Sequence, residues 1–148
     1  MREGFFLRMK PNIPPFEFNV RISYADTDRM GVVYYGNYFT LFEQGRTELM
    51  RNMGLRYRDL EENQKVFLPV TETACNYYAP ARYDDLIRVV TTITELGRAH
   101  MDFGYEIFNA ESGALLARGF TRHPFVNEKW KPVRAPEIIR SKLGHSHS

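Results

Sequence analysis

Residues 23–54 read SYADTDRMGVVYYGNYFTLFEQGRTELMRNMG, and the second half of this stretch decides the fold. From Tyr35 onward, apolar side chains recur at spacings of three, four and seven residues, which places them on one face of a helix. Gly54 suits the position just after a helix, and Arg51 in the last turn suits the helix dipole. The stretch therefore predicts a long, well-buried helix with an apolar stripe of Tyr35, Tyr38, Phe39, Leu41, Phe42, Leu49, Met50 and Met53.

The segments on either side of this helix have the pattern of strands. Residues 16–26, FEFNVRISYAD, alternate between apolar and polar side chains, as a strand with one buried face does. After a polar loop at 58–65, strand-like runs lie at 66–78, 86–96, 99–109 and 114–126, with a hairpin turn at 110–113. One long helix and an antiparallel sheet predict an α+β domain in which the sheet curls around the helix.

The ends of the chain differ from its middle. The chain has 148 residues, enough for one domain with one sizeable core. We expect a poorly ordered leader at 1–14, a single domain at 15–135 and a tail at 136–148. The tail has a short apolar patch formed by Ile138, Ile139 and Leu143.

Composition argues against several classes of partner. The net charge is +2, from 20 basic and 18 acidic residues, so a concentrated basic face for nucleic acid is not indicated. No segment approaches the roughly 18 apolar residues that a membrane span requires, and the N-terminal apolar run is too short for a signal peptide. A single cysteine, Cys75, forms no internal disulfide and favours a reducing compartment. We therefore expect a cytoplasmic protein.

The paired acids Asp26 and Asp28 permit several interpretations. As a calcium loop the segment is incomplete, because Met30 and Asn37 stand where an EF-hand has its third acid and its closing glutamate. A DxD site for a metal and a phosphate is possible in principle but unspecific. Aspartates also accept hydrogen bonds from the amides of their own turns. Spacing alone leaves these alternatives open, and we predict no metal site.

The position of Asp28 favours a catalytic interpretation. A strand ends, a loop carries Asp28, and the helix begins about seven residues later, near Tyr35. The first turn of a helix has unpaired N–H groups and a partial positive charge, which polarise a carbonyl oxygen. An aspartate beside that carbonyl can attack it or activate water. This arrangement is sufficient for acyl transfer and needs no histidine.

Other reactive side chains are weaker candidates. No GxSxG motif is present, so a serine hydrolase elbow is not supported. Cys75 lies in a strand-like run and is expected to be a core thiol. His100 and His123 are isolated in sequence, and we expect them to be surface or hydrogen-bonded structural residues. Glu43 and Arg46, three residues apart on the helix, are expected to form a structural ion pair.

Two motifs resemble those of a known family. YADTDRMGVVYYGNYFTLFEQGRTELMR and YYAPARYDDLI are similar to the signature segments of the 4-hydroxybenzoyl-CoA thioesterase family of hotdog-fold proteins. Within that family the chain most resembles the Tol-Pal-associated acyl-CoA thioesterase branch. The resemblance implies a hotdog fold, with a curved antiparallel sheet wrapped around one long helix. It also implies hydrolysis of acyl-CoA to free acid and coenzyme A, without a metal or a cofactor.

The resemblance also assigns roles to residues. The catalytic aspartate of the family falls on Asp28, as nucleophile or general base, and the amide that polarises the carbonyl falls on Tyr35. The branch usually has histidine where this chain has Tyr35, which leaves short, long and aromatic acyl groups open. The family forms dimers or tetramers with sites between subunits, and we expect a homotetramer. Candidate substrate-binding residues are Gly36, whose N–H lies beside that of Tyr35 at the carbonyl, Asn37 and Tyr38 for the acyl group, and Arg82, Arg98, Arg122 and Lys129 for coenzyme A.

Two other functions remain as alternatives. Dehydratases of the same fold act on acyl thioesters, but they have a histidine near the central helix, and residues 35–54 contain none. A non-catalytic acyl-CoA-binding or scaffold protein would use Asp28 only to stabilise its loop. Turnover distinguishes this alternative from a thioesterase.

Overall fold

A computed structural model describes residues 10–144 as a five-stranded antiparallel sheet packed against one long helix. The sheet has the order β1-β3-β4-β5-β2, and every neighbouring pair is antiparallel. Residues 1–9 and 145–148, and with them most of the predicted leader and the end of the tail, lie outside the described residues. The strands are β1 (Phe16–Arg21), β2 (Glu72–Tyr77), β3 (Leu86–Leu96), β4 (His100–Asn109) and β5 (Leu115–Pro124).

The long helix, α1, spans Asn37–Asn52 and lies mainly on β3, with further contacts to β1 and β4. It begins two residues later than predicted, because Tyr35 and Gly36 form a turn in which the Asn37 N–H donates to Tyr34 O at 2.8 Å. The ring of Phe42 stacks on Tyr105 with centroids 4.3 Å apart. The buried face is formed by Tyr38, Leu41, Phe42, Gly45, Leu49 and Met50, whereas Tyr35 and Phe39 at the start of the predicted stripe are exposed.

Three shorter helical segments complete the fold. A 3-10 turn at Tyr24–Asp26 follows β1. The predicted polar loop instead forms α2 (Tyr57–Asp59), continued by a π-helical turn at Leu60–Gln64, because Leu60 is buried in the core. Within the predicted tail, α3 (Glu137–Gly144) buries two side chains four residues apart, Ile139 and Leu143.

The predicted strand at 66–78 is regular only over β2. Upstream of it, Phe67 and Val126 exchange two N–H···O hydrogen bonds of 2.9 and 3.0 Å. Proline in this segment has no N–H for a ladder, and Pro69 interrupts the pairing. The predicted α+β class is confirmed. No helix within residues 10–144 is long and apolar enough to span a membrane.

Candidate active site

Asp28 lies at the tip of a small hairpin between β1 and α1. Its N–H donates to Val32 O at 2.8 Å, and its main-chain oxygen accepts the N–H of Gly31 at 3.0 Å. Gly31 has a φ of 78°, a left-handed conformation that glycine adopts without steric cost. Oδ1 of Asp28 accepts the N–H of Met30 at 2.8 Å. The turn therefore holds the half-buried Asp28 in place, while its Oδ2 has no hydrogen-bond partner in the described part of the chain.

Asp26 connects this hairpin to the strand and helix on either side. Its Oδ2 accepts hydrogen bonds from the N–H and the hydroxyl of Ser23, both at 2.9 Å. Its main-chain oxygen accepts the N–H of Tyr34 at 3.0 Å and the side-chain amide of Asn37 at 2.9 Å. Asp26 and Asn37 thus fix the hairpin relative to the start of α1. Both carboxylates therefore accept hydrogen bonds within their own turns, Asp26 from Ser23 and Asp28 from Met30.

The start of α1 presents two unpaired amides. The N–H groups of Asn37 and Tyr38 donate to the carbonyls of Tyr34 and Tyr35 at 2.8 and 3.3 Å. Within residues 10–144, the N–H groups of Tyr35 and Gly36 have no acceptor. Unpaired amides at a helix N-terminus carry partial positive charge and can bind an oxygen on which negative charge develops.

Tyrosine side chains surround these amides. The Tyr77 hydroxyl, at the end of β2, donates to Tyr35 O at 2.9 Å. The Tyr77 ring also contacts Tyr38, with centroids 5.1 Å apart and perpendicular planes. Because Tyr38 is only 3% exposed whereas Tyr35 is 62% exposed, the structure places Tyr38 behind the surface that Tyr35 and Tyr77 form. Sequence analysis missed Tyr77, because its contact with Tyr35 joins segments 42 residues apart.

The four basic residues proposed for coenzyme A lie at opposite ends of the sheet. Arg82 forms a backbone bridge with Val32 and is therefore close to the Asp28 hairpin. Arg98 lies between β3 and β4, and Lys129 lies beyond β5. Arg122, near the end of β5, donates to Asp102 at 2.8 and 3.0 Å. A single chain therefore brings only Arg82 of these four to the hairpin.

A possible metal-ligand group lies near the far end of the sheet. Ligand atoms of Glu95, His100 and Asp102 are within 4.8 Å of one another. His100 Nε2 is already 2.7 Å from Glu95 Oε2, and the Asp102 carboxylate is held by the Arg122 guanidinium. A cation would have to compete with that fixed positive charge, so these residues are better explained as an ion-pair network.

A groove of about 360 Å³ runs along α1 from Phe39, one turn beyond Tyr35. Arg46 at its far end donates to the Tyr105 hydroxyl at 3.4 Å. The expected Glu43–Arg46 ion pair is wrong: among the described residues Arg46 turns toward the sheet while Glu43 stays exposed. The lining side chains are Phe39, Thr40, Glu43, Arg46, Val70, Thr73 and Thr121.

The remaining reactive side chains have structural surroundings. Cys75 packs against the core, and burial raises the pKa of its thiol, which keeps it protonated and unreactive. His123 is fully buried and contacts Leu68 O at 3.1 Å and Thr121 Oγ1 at 2.8 Å. These positions match the structural roles that the sequence predicted for both residues.

Comparison with known proteins defines the class to which this fold and site belong. Residues 30–115 match the model of the thioesterase superfamily. The chain is 32% identical over 131 residues to the acyl-CoA thioesterase YbgC of Haemophilus influenzae, covering 88% of this chain and 95% of that protein. It is 36% identical over 104 residues to the acyl-CoA thioester hydrolase YbgC of Escherichia coli O157:H7, covering 70% and 77% respectively.

Solved structures give the same result. The DHNA-CoA thioesterase of Staphylococcus aureus superposes with a TM-score of 0.79 at 32% identity, covering 91% of this chain and 87% of that chain. Slr0204, a 1,4-dihydroxy-2-naphthoyl-CoA thioesterase from Synechocystis, superposes with a TM-score of 0.82 at 26% identity, covering 88% and 96%. The chain belongs to the thioesterase superfamily. The predicted hotdog fold and the predicted thioester hydrolase are thereby confirmed.

Proposed function

We propose that this protein hydrolyses acyl-CoA thioesters to free acid and coenzyme A, with Asp28 as the group that attacks or activates water. The observation that carries the proposal is the arrangement of the Asp28 hairpin beside the unpaired N–H groups of Tyr35 and Gly36. The relatives named acyl-CoA thioesterases support the choice of substrate.

The chemistry follows from this arrangement. The thioester carbonyl lies against the N–H groups of Tyr35 and Gly36, which stabilise the negative charge that develops on its oxygen. Asp28 either attacks the carbonyl to form a mixed anhydride or removes a proton from water as general base. Asn37 holds the hairpin against the helix through its bond to Asp26 O, so it acts by positioning. The acyl group extends past Gly36 into the groove that begins at Phe39, and the buried Tyr38 supports the Tyr77 ring beside the amides.

The functional unit is a two-fold dimer, alone or paired into a tetramer. Strand β2 lies at the edge of the sheet, and five of its six residues are exposed. An edge strand with unpaired main-chain groups is a template for pairing with a second chain. Antiparallel pairing of β2 with a second copy covers this edge and places the groove along α1 between subunits. We assign the protein to the cytoplasm, in keeping with its single cysteine.

The decisive experiment is a thiol-release assay with short, long and aromatic acyl-CoAs, comparing wild type with Asp28→Asn. Loss of the general base or nucleophile should lower kcat by about 100-fold or more. The far-UV and near-UV circular dichroism spectra should remain those of wild type, because the Asn side chain can still accept the Met30 N–H. The acyl-CoA that wild type turns over fastest identifies the substrate class.

Asp26→Asn is the matched control, because it makes the same substitution at the aspartate two residues before Asp28. Its effect on kcat should be much smaller, since the Asp26 carboxylate bonds to Ser23 within the turn. Near-normal turnover in folded Asp28→Asn would contradict the assignment of Asp28. Tight acyl-CoA binding by wild type with no turnover of any substrate would identify a binding protein instead.

A further inference from the structure

The loop after β5 exposes the only tryptophan of the chain, Trp130. Trp130 is 63% exposed, and its φ of 64° is left-handed, a conformation that bulky side chains rarely adopt. Such strain persists only where the surrounding structure enforces it, and it is concentrated at binding sites and active sites. The loop therefore presents an indole to solvent at a conformational cost.

Asn127 organises the loop around Trp130. Oδ1 of Asn127 accepts the N–H groups of Lys129 and Lys131 at 2.9 and 3.0 Å. The main-chain oxygen of Asn127 accepts the Trp130 N–H at 2.9 Å. The Phe67 ring lies 6.1 Å from the indole. The hydrogen bonds fix the backbone of the loop and the Phe67 ring contacts the indole, which leaves the exposed indole available for stacking on a ligand.

The residues beside Trp130 add positive charge. Lys129 and Lys131 are exposed, and within residues 10–144 neither ammonium group pairs with a carboxylate. An indole face binds a nucleobase by stacking, and lysine binds phosphate as a point charge. Coenzyme A contains both groups, as an adenine nucleotide with a 3′-phosphate and a diphosphate.

We propose that Trp130 stacks on the adenine of coenzyme A and that Lys129 and Lys131 bind its phosphates, in the site that contains Asp28 of the partner subunit. This inference rests on the proposed acyl-CoA thioesterase function, because coenzyme A is the leaving group of that reaction. It assigns a binding role to an exposed aromatic side chain that sequence analysis did not single out.

Pairing of two β2 edges explains how Trp130 reaches a site at the other end of the sheet. In an antiparallel two-fold pairing, residues whose N–H groups point the same way lie opposite each other, so the axis passes through Ala74 or Cys75 in the middle of β2. Phe67, which contacts Trp130, then lies opposite position 81 or 83 of the other chain, the two neighbours of Arg82. The backbone of Arg82 pairs with Val32, whose oxygen accepts the N–H of Asp28 at 2.8 Å. The two-fold pairing therefore brings the partner's Trp130 toward Asp28 and beside Arg82.

Fluorescence tests the nucleotide site directly, because all tryptophan emission comes from Trp130. Wild type is titrated with coenzyme A, with adenosine 3′,5′-bisphosphate and with pantetheine. Stacking should quench the emission with the first two ligands and not with pantetheine, which lacks the nucleotide. Unchanged emission at saturating coenzyme A would overturn the proposal. This measurement does not depend on turnover, so it remains informative if thioester hydrolysis itself is absent.

Kinetics of Trp130→Ala provide the second test, with acyl-CoA and the corresponding acyl-N-acetylcysteamine as substrates. Loss of stacking should lower the ratio of kcat/KM for acyl-CoA to that for the truncated thioester about 10-fold, within the range measured for base–aromatic stacking. Trp130→Phe should recover most of this ratio. An unchanged ratio in Trp130→Ala would contradict the role of the indole, whereas inactivity of wild type on both thioesters would refute the proposed function.

The placement across subunits is tested with hybrid dimers. Trp130→Ala and Asp28→Asn chains are co-expressed with different tags, and the hybrid is isolated through both tags. If the indole acts across the interface, one site of each hybrid has both Asp28 and Trp130, and low-KM acyl-CoA turnover reappears. If the indole acts within its own chain, neither site is complete and the hybrid behaves like Trp130→Ala. The second result would overturn the cross-subunit site.

Discussion

At the residue scale, His123 ends a directed chain of buried hydrogen bonds. Because Leu68 O only accepts, Nδ1 of His123 carries the proton and Nε2 accepts from the Thr121 hydroxyl at 2.8 Å. Thr121 Oγ1 then accepts from the Tyr105 hydroxyl at 2.6 Å, and Tyr105 accepts from Arg46 at 3.4 Å. This series of hydrogen bonds is complete only while His123 is neutral, because a protonated Nε2 could no longer accept from Thr121.

Stability should therefore depend on the protonation of His123. Burial, assisted by the Arg46 charge, lowers its pKa from 6.5 to about 4. Because the pKa of His123 is lower in the folded state, the contribution of neutral His123 to the free energy of unfolding is complete above pH 6.5. This contribution is lost as the pH falls toward 4. Urea denaturation should show a loss of up to roughly 3 kcal/mol of unfolding free energy over this interval.

The comparison uses His123→Gln, which does not titrate, and His100→Gln as a matched control. The difference in unfolding free energy between pH 7 and pH 4.5 should be smaller in His123→Gln than in wild type. In His100→Gln this difference should stay close to the wild-type value. Equal pH dependence in wild type and His123→Gln would show that His123 does not titrate with folding.

At the element scale, α1 approaches β3 so closely that Gly45 has no room for a side chain. A Cβ atom at Gly45 would lie 2.2 Å from Thr91 Oγ1 and 3.2 Å from Val89 Cγ1. The Thr91 hydroxyl is itself buried and has no hydrogen-bond partner among residues 10–144. The apolar periodicity of the stretch predicted the helix but not this contact, because it depends on which residue of β3 lies beneath it.

Gly45→Ala should destabilise the protein although alanine is the better helix former. Overpacking costs about 1–3 kcal/mol, which exceeds the propensity gain of about 1 kcal/mol. Thermal denaturation should give a lower Tm for Gly45→Ala than for wild type. In a Thr91→Ala background, where the clashing hydroxyl is absent, the same substitution should cost less. A Gly45→Ala protein as stable as wild type would mean that α1 moves away from β3 without penalty.

At the scale of the whole molecule, the open edge of β2 should determine assembly. The N–H of Tyr78 donates to Leu116 O at 2.8 Å. Because main-chain groups alternate in direction along an antiparallel strand, the N–H of Thr73 points away from β5 toward the open edge. Proline at position 73 removes this N–H, which has no acceptor within residues 10–144 and would donate to a second chain in the proposed pairing.

Thr73→Pro should therefore reduce or abolish assembly while the chain stays folded. Light scattering of wild type should give two or four times the chain mass of 17.4 kDa, which also distinguishes dimer from tetramer. Thr73→Val is the matched control, because it retains the N–H and loses only the hydroxyl bond to Phe120 O. A monomeric wild type, or a fully assembled Thr73→Pro, would contradict pairing through β2.

Local sequence pattern by itself determined the helix, the strands, the α+β class and the stretch that carries Asp28. These features depend on residues close together in the chain, whose periodicity is visible in the sequence. Tertiary structure decided that the Asn37 side chain donates to Asp26 O, that Tyr77 contacts Tyr35, and that Arg82 lies at the opposite end of the sheet from Lys129. These outcomes depend on strand register and order, which are set by packing between distant segments and have no signature in neighbouring residues.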